Sequence, residues 1–156
     1  MPLVDWIGTW PGAVLLQRSG TTYLFANAAH ILGVGLLVGA ILPLDLRLLG
    51  FFRRLPLVVI APFLSRAASV GAVLAIVTGL WLFSVKPREY LDNPAFLAKA
   101  ALLALALANV VLQHRSRGYA EAVAGCALRS TVRLHAFSSA VLWLSVLVAG
   151  RWIGFV

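Results

Sequence analysis

Residues 22–49 read TYLFANAAHILGVGLLVGAILPLDLRLL, and this stretch decides the fold. About 20 consecutive apolar residues are enough for a helix to cross the hydrocarbon core of a bilayer, and this stretch is longer than that. Three later stretches pass the same test, so the sequence predicts an all-α bundle of four transmembrane helices. The single membrane domain, residues 1–156, has predicted spans at residues 22–49, 57–85, 94–113 and 131–153.

The composition is that of a membrane protein. Hydrophobic residues make up 62% of the 156 residues and charged residues 12%, whereas a soluble domain carries roughly 25% charged residues. The net charge of +8 would suggest nucleic acid for a soluble protein. Here the basic residues cluster at helix ends, so we expect the lipid bilayer as partner and no nucleic acid. The one cysteine, Cys126, excludes an internal disulfide, and its role stays open.

The first 20 residues and the distribution of basic residues predict how the chain lies in the membrane. Residues 1–20 lack the basic start of a signal peptide, and Trp6 and Trp10 instead predict a segment at the membrane interface. Of the 13 basic residues, more lie beside the loops that follow the first and third spans than at the opposite side. The positive-inside rule therefore predicts these loops in the cytoplasm and both termini on the periplasmic side of a bacterial inner membrane.

His30 is the strongest candidate for a functional residue. An ionisable side chain inside a span is costly and usually has a partner or a task, and a neutral imidazole can ligate haem iron. Asn27 lies on the same helix face, three residues earlier, and is expected to orient the ring. Gly33 would let a flat ligand or another helix approach. Arg151, near the outer end of the fourth span, either snorkels or pairs with a haem propionate or a lipid phosphate.

Depth limits what His30 can bind. At 1.5 Å per residue, His30 lies roughly 7 Å to the outer side of the midplane and His135 roughly 10 Å to the inner side. The two therefore cannot share one iron, and His114 lies closer still to the cytoplasm. Three alternatives remain open for His30: one axial ligand of a haem, a pair with the same residue of a second subunit, or only a hydrogen bond within the bundle. The roles of His114 and His135 stay open.

Two further features concern packing and charge. Gly35 and Gly39 form a small-xxx-small pair that predicts a helix-packing face, and hence a homo-oligomer or a subunit of a membrane complex. Asp45 stands among arginines near the inner end of the first span. We expect it to be solvated or to pair with Arg47 or Arg66, rather than to act in a proton relay.

Five motifs resemble, in order, a family of small bacterial four-helix membrane proteins known only as a domain of unknown function. They are AAHILGVGLLVG (28–39), DLRLLG (45–50), TGLWLF (78–83), NPAFLAK (93–99) and GRWI (150–153). A fainter similarity links the chain to copper-resistance D membrane domains and to b-type cytochrome bundles, which implies histidine ligands. Those proteins carry several ligands each, whereas here only His30 lies well inside, which argues against copper handling and against two haems.

Two functional hypotheses follow. The first is a haem-binding or redox-associated membrane subunit without catalytic activity of its own, in which His30 is the axial ligand of haem b and Asn27, Gly33 and Arg151 support it. The alternative is a non-catalytic scaffold or accessory subunit, assembled through Gly35 and Gly39. A solute or metal carrier is disfavoured because the spans supply few polar groups at the midplane.

Overall fold

The computed structural model describes residues 2–155, and only the backbone of residues 2 and 3. Met1, where the predicted interfacial segment begins, and Val156 lie outside the described residues. The described chain is helical and contains no strand. In order, it forms α1 (Pro2–Thr9), α2 (Pro11–Arg18), α3 (Gly20–Leu49), α4 (Leu57–Phe83), α5 (Pro87–Leu91), α6 (Pro94–Arg115), α7 (Arg117–Val123), α8 (Ser130–Trp152) and a final 3₁₀ turn (Ile153–Phe155).

Four of these helices, α3, α4, α6 and α8, are long and apolar enough to cross a membrane. The predicted all-α bundle with four spans is thereby confirmed. Large apolar side chains stand on the outer surface of the helices, among them Phe25 (67% exposed) and Phe63 (71% exposed). Water would penalise such a surface, whereas lipid tails accept it. The chain is therefore a multi-pass membrane protein.

Short polar residues set the helix ends. The Ser19 hydroxyl accepts a hydrogen bond from the backbone N–H of Thr22 at the start of α3, and the Asn93 side chain caps α6 from its position before Pro94. Asn93 followed by Pro94 predicts such a helix start from the sequence, and the structure confirms it. α3 ends at Gly50, whose φ of 108° lies in the left-handed region, where glycine has no Cβ to clash.

The closest helix pair is α3 and α4, which cross where two glycines face each other. A Cβ on Gly33 would lie 2.6 Å from the backbone nitrogen of Ala75, and a Cβ on Gly71 would overlap the backbone nitrogen of Leu37. The two backbones therefore touch directly, as small residues permit in membranes. Behind this contact, α8 packs against both α6 and α3.

The bundle has two distinct ends. The loops 50–56 and 116–129 meet at what we term the loop end. The short helices α1, α2 and α5 and the final 3₁₀ turn gather at the opposite, termini end. There, Gln17 donates to the carbonyl oxygens of Gly8 and Val85, both at 3.0 Å. Arg88 forms an ion pair with Asp5. The helices α1 and α2 are thus bound to the bundle rather than trailing from it.

Candidate functional site

His30 is partly buried against α4. Its Nδ1 lies 2.9 Å from the carbonyl oxygen of Ala75 and 3.2 Å from the hydroxyl oxygen of Thr78. The Thr78 hydroxyl itself donates to the carbonyl of Leu74, at 2.6 Å. A carbonyl oxygen can only accept, so His30 Nδ1 must be the donor. In the neutral ring this leaves the lone pair on Nε2.

The ring of His30 is also held by shape. A Cβ on Gly79 would lie 3.0 Å from Cε1 and 3.4 Å from Nδ1 of the imidazole. Gly79 therefore provides the space that the ring occupies, while Thr78, directly before it, and Ala75, one helical turn earlier, fix the rotation of the ring. His30, Ala75, Thr78 and Gly79 together form what we term the His30 site.

Lys99, on α6, is the basic residue whose charge acts on the His30 site. Its ammonium acts electrostatically on His30, and its aliphatic chain lies over Gly150, whose absent Cβ would stand 3.4 Å from Cε and Nζ. Among residues 2–155, Lys99 has no acidic partner. In the sequence, Lys99 stands out only as the last residue of the motif NPAFLAK. The signal that was available is its position within a span, five residues after Pro94.

The other predicted site residues lie elsewhere. Asn27 is exposed on the bundle surface, and the His30 ring is held by α4 instead. Arg151 is exposed, with its guanidinium carbon 4.6 Å from the centre of the Phe155 ring. The space beside Gly33 is filled by α4, so Gly33 serves helix packing rather than a ligand slot. A Cβ on Gly35 or on Gly39 would meet nothing in the described chain within 4 Å beyond its own stretch of α3.

The remaining histidines have partners of their own. His135 Nδ1 is 2.8 Å from Oδ1 of Asn109, whose Nδ2 donates to the His135 carbonyl at 3.0 Å. His114 bonds to the carbonyl of Val110, and its ring lies tilted at 46° against that of Tyr119, with ring centres 4.7 Å apart. Within residues 2–155, no group of three or more potential metal ligands occurs. A site at His30 would therefore rest on one imidazole.

Asp45 departs from expectation. It is only 2% exposed and forms no ion pair with Arg47 or Arg66, so the predicted solvated or paired acid is wrong. The reason is helix rotation, because Asp45 lies on the face of α3 that is buried in the bundle, where α3 packs against α8. The Ser139 hydroxyl lies beside its carboxyl without reaching hydrogen-bond geometry. Three buried atoms have no hydrogen-bond partner in the described part of the chain: Asp45 Oδ2, Ser139 Oγ and Trp143 Nε1.

Comparison with known proteins gives a family and no function. The model of a family of unknown function, DUF6644, matches residues 4–156. No curated protein and no solved structure matches the chain.

Proposed function

The chain belongs to the DUF6644 family, and from its own residues we propose that it is a haem-binding subunit of a membrane redox system, with His30 as the axial ligand. The observation that carries this proposal is the hydrogen bond from His30 Nδ1 to the Ala75 carbonyl, at 2.9 Å. Metal-ligating histidines characteristically donate their other ring N–H to a carbonyl or carboxylate. That bond fixes the tautomer and leaves Nε2 as the ligand atom.

The surroundings of His30 suit a haem in two further respects. Gly79 and Thr78 fix the ring, so little side-chain entropy would be lost on ligation. Lys99 supplies a positive charge that acts on His30 and has no acidic partner in the described chain, so we assign Lys99 rather than Arg151 to a haem propionate. Bound haem b would supply one-electron transfer. The sixth position would stay open or come from a second polypeptide.

The optical spectrum of the purified protein tests this proposal. We expect a Soret band after expression with haem supplied. His30→Ala should remove the band, because no second histidine can take its place, whereas His114→Ala should leave it unchanged. Thr78→Val should keep the band but shift it, because Nδ1 loses one of its two partners.

A protein without a Soret band under these conditions would overturn the haem proposal. The competing function is then a non-catalytic scaffold or accessory subunit. The open surface at Gly35 and Gly39 favours that alternative, since a second helix can approach it closely. In that case Gly35→Leu should reduce the oligomer size in mild detergent, while Ala104→Leu, at an exposed position of α6, should not.

We also propose that the loop end faces the cytoplasm and both termini the periplasm of a bacterial inner membrane. Eight of the 13 basic residues supply the asymmetry, as the positive-inside rule requires. Cys126 is exposed, lies in the loop 116–129 and is the protein's one cysteine, so it reports on that loop. A membrane-impermeant maleimide should label it only after the inner membrane is permeabilised.

Labelling of Cys126 in cells whose outer membrane alone is opened would reverse the orientation. Gly154→Cys in a Cys126→Ala background is the matched control, because it should label from the periplasm under the same conditions.

A further inference from the structure

A cavity of about 470 Å³ opens at the loop end. It lies between the loop 50–56, the start of α4, the connection from α7 to α8 and the first turn of α8. Three arginines from three parts of the chain, Arg47, Arg53 and Arg133, line it together with apolar residues, and none of its lining residues is acidic. The three arginines of this lining would neutralise the charge of an anion that enters the cavity.

Two of these arginines are held in place by the loop itself. Arg47 donates from Nε to the carbonyl of Leu55 at 2.8 Å and from Nη2 to that of Arg53 at 3.4 Å. Arg53 donates from Nε to the carbonyl of Gly50 at 3.0 Å. Gly50 and Phe52 have φ values of 108° and 50°, so the loop turns sharply and presents these carbonyls inward. Most of the five N–H donors of each guanidinium stay available for a ligand.

No acid of the described chain neutralises the three arginines that line the cavity. The one acid of the loop 116–129, Glu121, pairs with Arg129 at 2.6 Å. At the termini end, Arg88 pairs with Asp5 and Lys86 with Glu89. Among residues 2–155, none of the three cavity arginines forms an ion pair. The positive-inside rule alone accounts for positive charge at this end of the bundle. It does not require guanidinium groups that backbone carbonyls hold around one cavity.

We propose that this arginine pocket binds a phosphate group. Guanidinium forks match phosphate oxygens in pairs, and the pocket lies where the spans end, at the depth of lipid headgroups. The phosphate belongs either to an acidic phospholipid or to a soluble phosphate compound. Leu57, Val58 and Leu128 beside the arginines give an apolar wall for whatever carries the phosphate.

Binding of dioleoyl phosphatidylglycerol to the full-length protein, measured by native mass spectrometry from detergent, tests the pocket. We expect one saturable lipid per chain, with dioleoyl phosphatidylcholine much weaker. Arg53→Gln and Arg133→Gln should each weaken binding about tenfold or more, since each removes charge-assisted hydrogen bonds. Arg54→Gln is the matched control, because it removes the same charge at an exposed position that does not line the pocket. Its affinity should stay within about twofold.

Inorganic phosphate separates the two sources. Two results together would assign a soluble phosphate compound. Phosphate at millimolar concentration would protect the wild type against thermal unfolding and protect Arg133→Gln less. Phosphatidylglycerol would bind no better than phosphatidylcholine. Saturable lipid binding that phosphate does not displace assigns a lipid. Equal losses for Arg54→Gln and Arg53→Gln, or no saturable binding of either probe, would overturn the proposal. Arg53→Lys keeps the charge without the fork and replaces any glutamine variant that elutes as aggregate.

Discussion

Gly71→Ala is expected to destabilise the bundle by about 1–3 kcal/mol. The new Cβ would overlap the backbone nitrogen of Leu37 and lie 2.8 Å from the carbonyl oxygen of Gly33. Backbone atoms cannot rotate away as a side chain can, so α3 and α4 would have to separate along their whole contact. Gly33→Ala should act in the same direction for the same reason. Thermal unfolding in mild detergent, followed by circular dichroism, measures the effect.

Gly35→Ala and Gly39→Ala are the matched controls on the same helix. Nothing in the described chain lies within 4 Å of a Cβ at either position, and alanine is the better helix former. Their unfolding midpoints should therefore equal or exceed that of the wild type. A loss at Gly35 as large as at Gly71, with the oligomer size unchanged, would mean that the rotation described for α3 about its axis is wrong.

Trp143→Ala is expected to cost about 3–5 kcal/mol. Trp143 is 2% exposed and packs in the cluster formed by α3, α4, α6 and α8, so its removal leaves a cavity that the helices cannot close. Trp152→Ala, at a position 60% exposed, should change stability little. Both are read from the same unfolding experiment.

Trp143→Phe separates packing from polarity. The indole N–H is buried without an acceptor, and such a group carries an unrecovered desolvation cost. Phenylalanine fills most of the volume and removes that cost, so its loss should be a small fraction of the alanine loss. A phenylalanine variant as unstable as Trp143→Ala would contradict this expectation and mean that the indole contributes more than its volume.

The four spans and the cap at Asn93 could be predicted from the sequence because they depend on local properties. Span length follows from hydropathy over about 20 residues, and the cap follows from Asn93 before Pro94. The side of each helix that faces its neighbour is not local. In a soluble helix an apolar stripe would reveal it, but lipid tails and a protein core are equally apolar.

Because the sequence does not show which side of each helix faces its neighbour, the prediction for Asp45 is wrong and the contacts of His30 with α4 are not predicted. In the sequence, Thr78 and Gly79 stand out only as part of the motif TGLWLF, because nothing in their own helix indicates that they face His30. Asp45 was expected to be solvated from its neighbours in sequence, whereas its neighbour in space, Ser139, lies on the last span. Asn27 on α3 is the side chain predicted to orient the His30 ring, but residues of α4 make the contacts with the ring.

The burial of Asp45 has a consequence for how the protein is made. Roughly ninety residues separate Asp45 from Ser139, so ribosomes need on the order of ten seconds to synthesise the interval. During that time the first span is already made, while the helix that covers its carboxyl does not yet exist. An uncovered acid is costly in lipid. The first span therefore reaches its final surroundings only after the last span has inserted, and biogenesis ends with the pairing of the two.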